Sequence, residues 1–564
     1  MGPRGHNLAM KIYRLVLALL LLASCHDARG EYDLVIRGGW IVDGTGAPRA
    51  EGDVAIRGDH IVAVGFFPGR GTTEIDAKGL IVAPGFIDMH SHSDYLLLED
   101  GAAQSKIRQG VTTEVFGEES SAGPVKGEYR SRSKLMGDTE GNRDWPTLGA
   151  YFETLEKSKT SVNVASYVGQ GNIWRCVMGD TFDRPTPAQM AQMKSLIAEA
   201  MQDGAFGMSS MLASGPGFLA RTDDLVELCR EVKRSGGIFS SHIRNEGTGV
   251  FDAVKEAIAV GERAGVPVDI IHIKIADQQN WGRMKEILAL IEDARKRGVN
   301  VQSNIYPYTR GNNNLVTILP PWAHEGGPER ILARLRNPAE RAKMKSLIQA
   351  GLAGWYNHYT AVGGDWSRML VNGNLSPKNR RFEGMTMDKI LAERNAAADP
   401  IEGMFDFLLE ENGSIPTIFA HHTDEDMMLA LSQPWCSIGS DGLAHATEGP
   451  LRRGRPHPRS FGTFPRVLGV YVREKKLLTL EDAVRKMTHL SAAKIGLQDR
   501  GMVRAGQFAD LVLFDKDKIL DKATYLDPFQ YPEGIEMVFV NGELTVDHGR
   551  HTGARAGRVL RHGR

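Results

Sequence analysis

Strands and amphipathic helices alternate along most of this chain, and this alternation limits the fold more than any other feature of the sequence. Parallel strands need a crossover, usually a helix, between them, so repeated strand–helix units predict a parallel sheet covered by helices. The eight strand candidates end near His90, Gly117, Tyr167, Ser210, His242, His272, Tyr306 and Asp441. Eight such units predict an α/β protein built on a (β/α)8 TIM-like barrel.

Two helices show the alternation most clearly. The first starts at Thr186-Pro187, with a capping hydroxyl and a proline at its first position, and the second starts at Thr222. Apolar residues recur on one stripe of each helix and predict its buried face. These residues are Met190, Met193, Ile197 and Met201 in the first helix and Leu225, Leu228, Cys229 and Val232 in the second.

Short strands separated by glycines occupy both ends of the chain. Residues 32–83 hold four strand candidates, and residues 500–550 hold a second set that includes 509–514 and 535–542. Two β segments that flank an α/β region predict one small β-sandwich domain built from both chain ends. The barrel then occupies residues 84–495 between them.

One long stretch interrupts the alternation. Residues 310–399 contain no clear strand, yet they are rich in tryptophan and tyrosine. A segment of this length between barrel strands usually carries function, so it predicts a lid over the barrel mouth, with a peripheral helical decoration as the alternative. Residues 416–421 form a ninth strand candidate whose place the sequence does not give.

The amino terminus, residues 1–25, predicts a signal peptide. Lys11 and Arg14 precede an apolar run, residues 15–23, that is too short to span a bilayer comfortably. The run ends in Leu-Ala-Ser-Cys at residues 22–25, which resembles the lipobox of bacterial lipoproteins, and cleavage nearer Gly30 is the alternative. Either signal predicts export, and the first predicts a periplasmic or membrane-anchored lipoprotein attached through lipidated Cys25.

The composition is that of an ordinary globular protein. The 564 residues are 42% hydrophobic and 24% charged, with a formal net charge of −1. This balance gives no electrostatic reason to expect nucleic acid as a partner. With Cys25 in the signal, Cys176, Cys229 and Cys436 remain, an odd number that implies no disulfide framework.

The first barrel strand ends in two histidines, His90 and His92, within PGFIDMHSHSD (84–94). Because alternate strand residues point to the same side, the two imidazoles can converge on one point. A metal ion is the simplest occupant, since imidazole is a common zinc ligand and barrel enzymes build their sites at the carboxyl ends of strands. Two loop histidines without a metal are the alternative for this pair taken alone.

Four more strand ends carry groups that could complete a metal site. Each group, taken singly, is more often an ordinary polar residue at a strand end. They are Glu118 and Glu119 after the second strand, His242 and His272 after the fifth and sixth strands, and Asp441 after the eighth. Together with the first pair they place candidate ligands on five strand ends, which indicates a shared metal site.

The sequence resembles the amidohydrolase superfamily, and within it the N-acyl-D-amino-acid deacylases, or D-aminoacylases, from about Tyr32 to Val546. The motifs that carry the resemblance are PGFIDMHSHSD (84–94), GVTTEVFG (110–117), SHIRNEG (241–247), IIHIK (270–274), IYPYTRG (305–311), SIGSDG (437–442), HPRSFGTFPRVLG (457–469) and GQFADLVLFD (506–515). Their order and spacing match the family as well as their wording, which makes the resemblance specific.

The resemblance implies a zinc-dependent hydrolase that converts N-acyl-D-amino acids to a carboxylate and a free D-amino acid. It carries His90 and His92 onto the first-strand metal ligands, and His242 and His272 onto the paired histidines of strands five and six. Asp441 matches the catalytic aspartate of the eighth strand and joins the metal ligands. One or two zinc ions per chain are expected.

A product with a free α-carboxylate needs a fixed cation in the substrate site. Arg459, in His457-Pro458-Arg459, and Lys274, two residues beyond a candidate ligand, are the candidates, since a guanidinium can hold a carboxylate through two hydrogen bonds. Tyr306 is a reasonable second hydrogen-bonding group. A surface ion pair is the alternative for Arg459.

The sequence departs from the family in the turn after the second strand. The best-known D-aminoacylases have a metal-binding cysteine there, whereas this chain has Gly117-Glu118-Glu119-Ser120. A carboxylate can replace a thiolate and can bridge two ions, which favours Glu118, with Glu119 close behind. Gln170 stands where family members often have histidine, and the ends of strands three and four lack the lysine that hydantoinase-like relatives carbamylate.

Two other functions remain open from the sequence. Another amidohydrolase, such as a dipeptidase or a cyclic-amide hydrolase, is the alternative enzyme. A catalytically silent, membrane-tethered binding protein is the alternative of another class, but it would have no need for the complete ligand set. The expected partner is a small N-acyl amino acid, and the sequence gives neither its side chain nor its acyl group, nor the oligomeric state.

Overall fold

The computed structural model describes residues 31–118, 120–129 and 145–563. The predicted signal peptide and Glu119 lie outside these residues. Over the described ranges, no helix is both long enough and apolar enough to cross a membrane.

Five amino-terminal strands form one part of a nine-stranded sheet. The first strand pairs antiparallel with the second and parallel with the fourth and fifth. Its buried residues Val35 and Ile36 lie opposite Ala55 and Val54 in this pairing. The strands are β1 (Tyr32–Ile41), β2 (Ala50–Arg57), β3 (His60–Gly65), β4 (Gly71–Asp76) and β5 (Ile81–Pro84).

The next eight strands pair with one another only in parallel. They are β6 (Phe86–Asp88), β7 (Val111–Phe116), β8 (Asn163–Ser166), β9 (Val168–Gly169), β10 (Gly207–Met211), β11 (Ile238–His242), β12 (Val268–Ile270) and β13 (Val301–Ile305). They belong to two sheets, one with the order β6-β7-β8 and one that runs from β9 to β13. Each predicted strand end in this part of the chain lies within two residues of the end of one of these strands.

Helices connect the parallel strands and bury one face each. The helix Pro187–Asp203 is capped by Thr186, whose side chain accepts from the backbone N–H of Gln189. The helix Thr222–Arg234 buries Leu225, Leu228, Cys229 and Val232 as predicted, and Met193, Ile197 and Met201 are likewise buried in the first helix. The other helices here are Leu96–Glu99, Gln104–Ile107, Leu148–Ser158, Gln170–Met178, Val250–Ala264 and Met284–Lys296.

The segment between β13 and the last parallel strand forms a separate layer, called the insertion (residues 310–423). It contains a small antiparallel sheet of β14 (Gly311–Asn314), β15 (Met369–Val371) and β16 (Pro416–Phe419). The prediction of no strand before residue 399 was therefore wrong, because two short strands pair with the ninth candidate. The insertion helices are Gly327–Arg336, Pro338–Ala350, His358–Ala361, Met387–Glu393 and Pro400–Glu410. They enclose an apolar core of their own that includes Phe382, Phe405 and Phe407.

The last parallel strand, β17 (Cys436–Ile438), pairs with β13. The helices Asp424–Leu431, Arg459–Arg466, Leu480–Met487 and His489–Ile495 flank it along the chain, together with a π-helix at Val467–Glu474. The chain then returns to the first sheet through β18 (Leu511–Phe514), β19 (Ile535–Val540), β20 (Glu543–Asp547) and β21 (Arg550–His551). Because β18 pairs antiparallel with β5, strands from both chain ends share one sheet.

Backbone hydrogen bonds join the two parallel sheets at both edges. Met89 N donates to Ile438 O at 3.3 Å, and Asp441 N donates to His90 O at 2.7 Å. At the other edge, Phe206 N donates to Ser166 O at 2.9 Å. These contacts bring the carboxyl ends of β6 and β17 together, so residues far apart in sequence meet at one end of the parallel strands.

Candidate metal centre

Three predicted ligands meet where β6 and β17 end, and we call His90, His92 and Asp441 the His90 half of the site. His92 Nε2 lies 3.0 Å from Asp441 Oδ1, and His90 Nε2 lies 3.9 Å from the same oxygen. The His90 side chain is buried, while that of His92 is 35% exposed. The backbone of Asp441 has a φ of 51°, in the left-handed region. The turn after β17 thus holds this carboxylate in a conformation that costs free energy.

Two more predicted ligands, His242 and His272, form the His272 half of the site. His242 ends β11, and His272 lies just beyond β12 with a φ of 35°. Their rings are 4.5 Å apart, measured between centroids, and nearly perpendicular. His272 Nε2 lies 3.8 Å from Asp441 Oδ2, so the two halves adjoin.

Glu118 lies between the two halves. Its Oε2 is 2.5 Å from His90 Nε2 and 3.1 Å from His92 Nε2. Its Oε1 is 3.0 Å from His242 Nδ1 and 3.9 Å from His272 Nε2. Each carboxylate oxygen therefore faces one half, which is the arrangement that a bridging carboxylate needs.

The donor atoms fit zinc in kind and in spacing. They fall into two groups, one of His90, His92, Glu118 and Asp441 and one of Glu118, His242 and His272, with the atoms of each group within 4.8 Å of one another. Ligands about 2 Å from a tetrahedral zinc ion are about 3.3 Å apart. Imidazole nitrogens and carboxylate oxygens are ordinary zinc ligands, so these residues can hold the predicted ions.

The electrostatics of the buried site favour a cation. Burial raises the pKa of Glu118, but the neighbouring His90 and His242 outweigh it and hold that pKa well below its usual range. Burial also raises the pKa of Asp441, and Arg459 and His90 outweigh it in the same way. Two carboxylates thus remain ionised in a space that excludes most solvent, which attracts positive charge.

The same two carboxylates change the pKa of His92. Burial lowers the pKa of His92, but its hydrogen bonds with Asp441 and Glu118 raise that pKa to about 10. Metal binding at such a site releases the proton, because a ligating histidine must be neutral.

Arg459 and Tyr306 line the same end of the strands. Arg459, the first residue of the helix Arg459–Arg466, places Nη1 2.7 Å from Asp441 Oδ2, and its side chain is only 4% exposed. Its guanidinium lies 4.9 Å above the ring centroid of Tyr306. Burial raises the pKa of Tyr306, so this phenol keeps its proton. The surface ion pair that was the alternative for Arg459 is excluded by its burial.

Lys274 is placed beside His272 as the strand spacing predicts, but it already has partners inside the protein. Its Nζ lies 2.6 Å from Glu246 Oε1 and donates to His272 Nδ1 at 2.8 Å. Glu246 Oε1 is itself 3.1 Å from His272 Nδ1. A substrate carboxylate would therefore have to compete with Glu246 for this ammonium group.

The family is shown by comparison with known proteins. The sequence model of the amidohydrolase family matches residues 73–294 and 393–546. The chain belongs to this family. The resemblance found in the sequence motifs is thereby confirmed.

Relatives of this amidohydrolase match over nearly their whole length. An N-acyl-D-glutamate deacylase of Alcaligenes xylosoxydans xylosoxydans is 36% identical over 533 residues, which cover 94% of this chain and 96% of that protein. The crystal structure of N-acyl-D-glutamate deacylase from Bordetella bronchiseptica, complexed with zinc and a phosphonate inhibitor that mimics the reaction's tetrahedral intermediate, has a TM-score of 0.79 at 33% identity. That match covers 94% of this chain and 99% of the other.

A D-aminoacylase structure that describes a binuclear metal centre, with one-metal activation and second-metal attenuation, has a TM-score of 0.78 and 33% identity. It covers 94% of this chain and 100% of the other. Both solved relatives therefore share the fold of this amidohydrolase over the whole region that carries the predicted ligands.

The insertion of this amidohydrolase brings together the polar side chains of Asn313, His358 and Tyr356, which the sequence did not indicate. Asn313 Nδ2 lies 3.4 Å from His358 Nε2, and the ring of His358 packs on Tyr356 at 4.4 Å between centroids. Burial lowers the pKa of His358 to about 4, so the ring is neutral. Tyr356 Oη donates to Ala276 O at 3.3 Å, which fixes the insertion against the loop after β12.

Gly311 shows how closely the insertion approaches the site. A Cβ at this position would lie 2.7 Å from His421 Nε2 and 3.6 Å from Tyr306 Oη, so a larger residue would have to displace the His421 ring. The adjacent pair His421-His422, directly after the ninth strand candidate, was the sequence signal that could have indicated this wall of the site. No comparable signal marks His358.

The structure also shows the surroundings of Gln170 and Glu246. Gln170 begins the helix after β9, is fully buried, and neither atom of its amide has a hydrogen-bond partner among the described residues. Glu246 lies within SHIRNEG (241–247), and its pKa is held well below the usual range because Lys274 and His242 outweigh the effect of burial. The position of Glu246 within SHIRNEG was a sequence signal for a site residue that the prediction did not use.

Proposed function

We propose that this amidohydrolase is a zinc-dependent deacylase that hydrolyses N-acyl-D-amino acids to a carboxylate and a free D-amino acid. The observation that carries the proposal is the position of Glu118, whose two oxygens face the His90 half and the His272 half at 3.1 Å and 3.0 Å from His92 and His242. The named activities of the relatives, which match over 94% of the chain, supply the substrate class.

Two zinc ions are the proposed content of a fully loaded site. His90, His92 and Asp441 would hold one ion, His242 and His272 the other, and Glu118 would contact both. When bound, zinc lowers the pKa of a coordinated water toward about 7 and polarises the scissile carbonyl. The binuclear metal centre described for a D-aminoacylase of 33% identity supports this count.

Asp441 is the proposed general base and acid. It accepts the proton of the attacking water and returns it to the nitrogen of the departing amine. Its ion pair with Arg459 keeps the carboxylate ionised in the resting enzyme, because Arg459 is the strongest influence that lowers its pKa. An ionised carboxylate is the form that can take the proton.

Arg459 and Tyr306 are the proposed anchor for the substrate α-carboxylate. The guanidinium lies 4.9 Å from the ring centroid of Tyr306 and 2.7 Å from Asp441 Oδ2, so a carboxylate bound there would lie next to the proposed general base. A planar guanidinium can donate two parallel hydrogen bonds to a carboxylate. Lys274 is the third candidate and the weaker one, because its single ammonium nitrogen already contacts Glu246 and His272, whereas the guanidinium of Arg459 contacts Asp441 through Nη1 and has two further nitrogens that can donate.

A direct test compares matched pairs of N-acetyl-D- and N-acetyl-L-amino acids with the same side chain, by measuring release of the free amine. Zinc content is measured on the same sample, and Asp441→Asn serves as the inactive control. We expect the D-form to react at least tenfold faster. Faster hydrolysis of the L-form, of dipeptides or of hydantoins would assign a different amidohydrolase activity.

The architecture proposed for this function is a closed (β/α)8 barrel over residues 84–495 with a β-sandwich from residues 32–83 and 500–550. The hydrogen bonds that join both edges of the parallel sheets support closure. The insertion is the proposed lid, since Tyr356 contacts the loop after β12. Limited proteolysis checks the lid: a substrate analogue should slow cleavage within residues 310–423 more than elsewhere.

Export is the proposed location, with Cys25 as the site of lipid attachment. Support comes from the charged start, the apolar run and the Leu-Ala-Ser-Cys sequence at residues 22–25. Fractionation of bacteria that express the full chain, with mass spectrometry of the mature amino terminus, tests this. Cys25→Ala should move the protein from the membrane fraction, and an unchanged distribution would exclude lipidation.

A further inference from the structure

A lysine with no exposed surface lies beneath the His90 half. Lys106 belongs to the short helix Gln104–Ile107, and its ammonium group has four partners. Nζ donates to Asp88 Oδ2 and Ser440 Oγ at 2.7 Å each, and to Ser91 Oγ and Gly442 O at 3.1 Å each. The side chains of Lys106 and Asp88 are both 0% exposed.

Three of the four hydrogen-bond partners of Lys106 stand next to a proposed ligand in the sequence, and Asp88 stands two residues before His90. Ser91 stands between His90 and His92, and Ser440 and Gly442 stand on either side of Asp441. Among the described residues, Lys106 therefore contacts no proposed ligand side chain, yet it holds Ser91 between His90 and His92 and the residues on both sides of Asp441. A displacement of the ammonium group would move the end of β6 relative to the turn after β17.

Asp88 completes this connection between the two strands. Its Oδ1 accepts from Ser440 N at 2.7 Å and from His90 N at 3.3 Å, and its Oδ2 accepts from Ser440 Oγ at 2.5 Å. The carboxylate thus holds the end of β6 against the turn after β17. Lys106 neutralises the charge of that carboxylate at the place where water is excluded.

Glu114 extends the network to the strand that leads to Glu118. Its Oε2 accepts hydrogen bonds from Ser91 Oγ at 2.5 Å and from Ser93 Oγ at 2.7 Å. Lys106 Nζ lies 3.5 Å from the same oxygen. One ammonium group therefore serves two fully buried carboxylates on two adjacent strands.

Such a network is costly unless its geometry has a use. Burying an ammonium and two carboxylates carries a desolvation cost, and well-packed apolar side chains at such positions are often at least as stabilising. Removing only the ammonium leaves uncompensated negative charge. A buried lysine here therefore indicates that the residues of the metal site above it must be held in fixed positions.

The geometry points to Lys106 as a positioning residue that sets the zinc affinity of the His90 half, by holding the backbone that carries His90, His92 and Asp441. The inference rests on the proposed zinc-dependent function. Groups behind metal ligands typically change metal affinity about 10- to 100-fold when they are mutated. We expect a loss in this range for one zinc ion, with the ion of the His272 half retained.

The test is Lys106→Met, which keeps the length of the side chain and removes the charge. Zinc binding is measured by competition with a chromogenic chelator, on the full folded protein. One of two zinc ions should bind about 10- to 100-fold more weakly. The other zinc ion should bind with parental affinity.

The matched control is Lys486→Met. Lys486 is also a fully buried lysine, and its Nζ donates to Gln433 O and to Cys436 O, at the amino end of β17. Its substitution carries a similar burial cost but touches no neighbour of a ligand. Zinc affinity should stay at the parental value in this variant, and an equal loss in both variants would show a general effect of stability.

Parental zinc affinity in a cooperatively folding Lys106→Met would overturn the inference. If that variant does not fold, Ser440→Ala decides, because it removes the hydroxyl that links Lys106 to Asp88 and keeps all charges. It should weaken one zinc site at least threefold, and unchanged binding would equally overturn the inference. A parent protein without zinc or deacylase activity would instead refute the proposed function itself.

Discussion

The two halves of the metal centre are each supported by a buried lysine, but in different ways. In the His90 half, Lys106 donates to Asp88 and to three residues that stand next to the ligands in the sequence. In the His272 half, Lys274 donates directly to His272 Nδ1 at 2.8 Å. One half therefore depends on where the backbone lies, and the other depends on how one imidazole ring is oriented.

The charges around the two lysines differ as well. Lys106 lies 2.7 Å from Asp88 and 3.5 Å from Glu114, whereas Lys274 has Glu246 at 2.6 Å. Without Lys106, two carboxylates lose their counter-charge. Without Lys274, Glu246 can still accept a proton from a histidine ring. The comparison predicts that the His90 half is the more fragile of the two.

The largest expected effect is that of Glu118→Ala, because Glu118 is the residue that both halves share. Removing both oxygens should weaken both zinc ions and lower the metal content from about two to less than one per chain, with hydrolysis lost in parallel. Elemental analysis after dialysis measures this. His272→Ala is the control, since it should release only one ion.

Parental metal content in Glu118→Ala would mean that the two halves are not linked through this carboxylate. The same measurement on Glu119→Ala then decides whether the next residue is the ligand. If both variants keep their metal and their rate, the second strand contributes no ligand at all.

Asp441→Asn should separate chemistry from metal binding. The amide keeps one oxygen near His92 but cannot accept the proton, so kcat should fall about 100- to 10,000-fold. Zinc content should stay close to that of the parent, because the histidines of both halves and Glu118 remain. Parental turnover in this variant would remove the proposed role of Asp441, and loss of zinc would show that it acts mainly as a ligand.

Arg459→Ala tests whether Arg459 is the cation that binds the α-carboxylate of the substrate. A hydrogen bond to a charged group contributes about 1.5 to 3 kcal/mol, so KM for an N-acyl-D-amino acid should rise about 10- to 150-fold. KM for the matching α-carboxamide should change much less. Equal losses for acid and amide would exclude a carboxylate clamp on Arg459 and favour Lys274 in the other half.

The sequence predicted which candidate ligands meet at one site better than it predicted the residues behind them. His90, His242 and Asp441 stand at strand ends, and strand periodicity is local, so their convergence follows from the parallel fold alone. Lys106 meets Ser440, 334 residues away, and no local pattern encodes that contact. The predicted position of Lys274 beside His272 was met, but its partner Glu246 comes from another loop.

The insertion shows the same limit of sequence reading. β15 has three residues, too few for a periodicity of two to stand out, and it forms because β16 pairs with it. Its neighbour β14 is the run Gly-Asn-Asn-Asn, whose composition disfavours a strand. Tertiary pairing overrode the local preference at both strands, so only the structure could give this part of the fold.

Lys274→Met is the smallest expected effect and the one that tests the comparison of the two halves most directly. The substitution leaves Glu246 Oε1 3.1 Å from His272 Nδ1 and 3.6 Å from His242 Nε2. A carboxylate behind a metal-bound histidine accepts the proton of its second nitrogen and orients the ring. If His272 Nε2 holds zinc, Nδ1 carries the proton and donates it to Glu246, so the ring keeps its orienting partner without the lysine.

Zinc affinity of the His272 half should fall by less than about tenfold in Lys274→Met, below the usual range for such groups. Chelator competition on this variant and on Lys106→Met, side by side, measures the difference. The double variant Lys274→Met with Glu246→Gln should lose more affinity than Lys274→Met alone, because the replacement acceptor is then weaker. If Lys274→Met loses more zinc affinity than Lys106→Met, ring orientation outweighs backbone position and the order of the two halves is reversed.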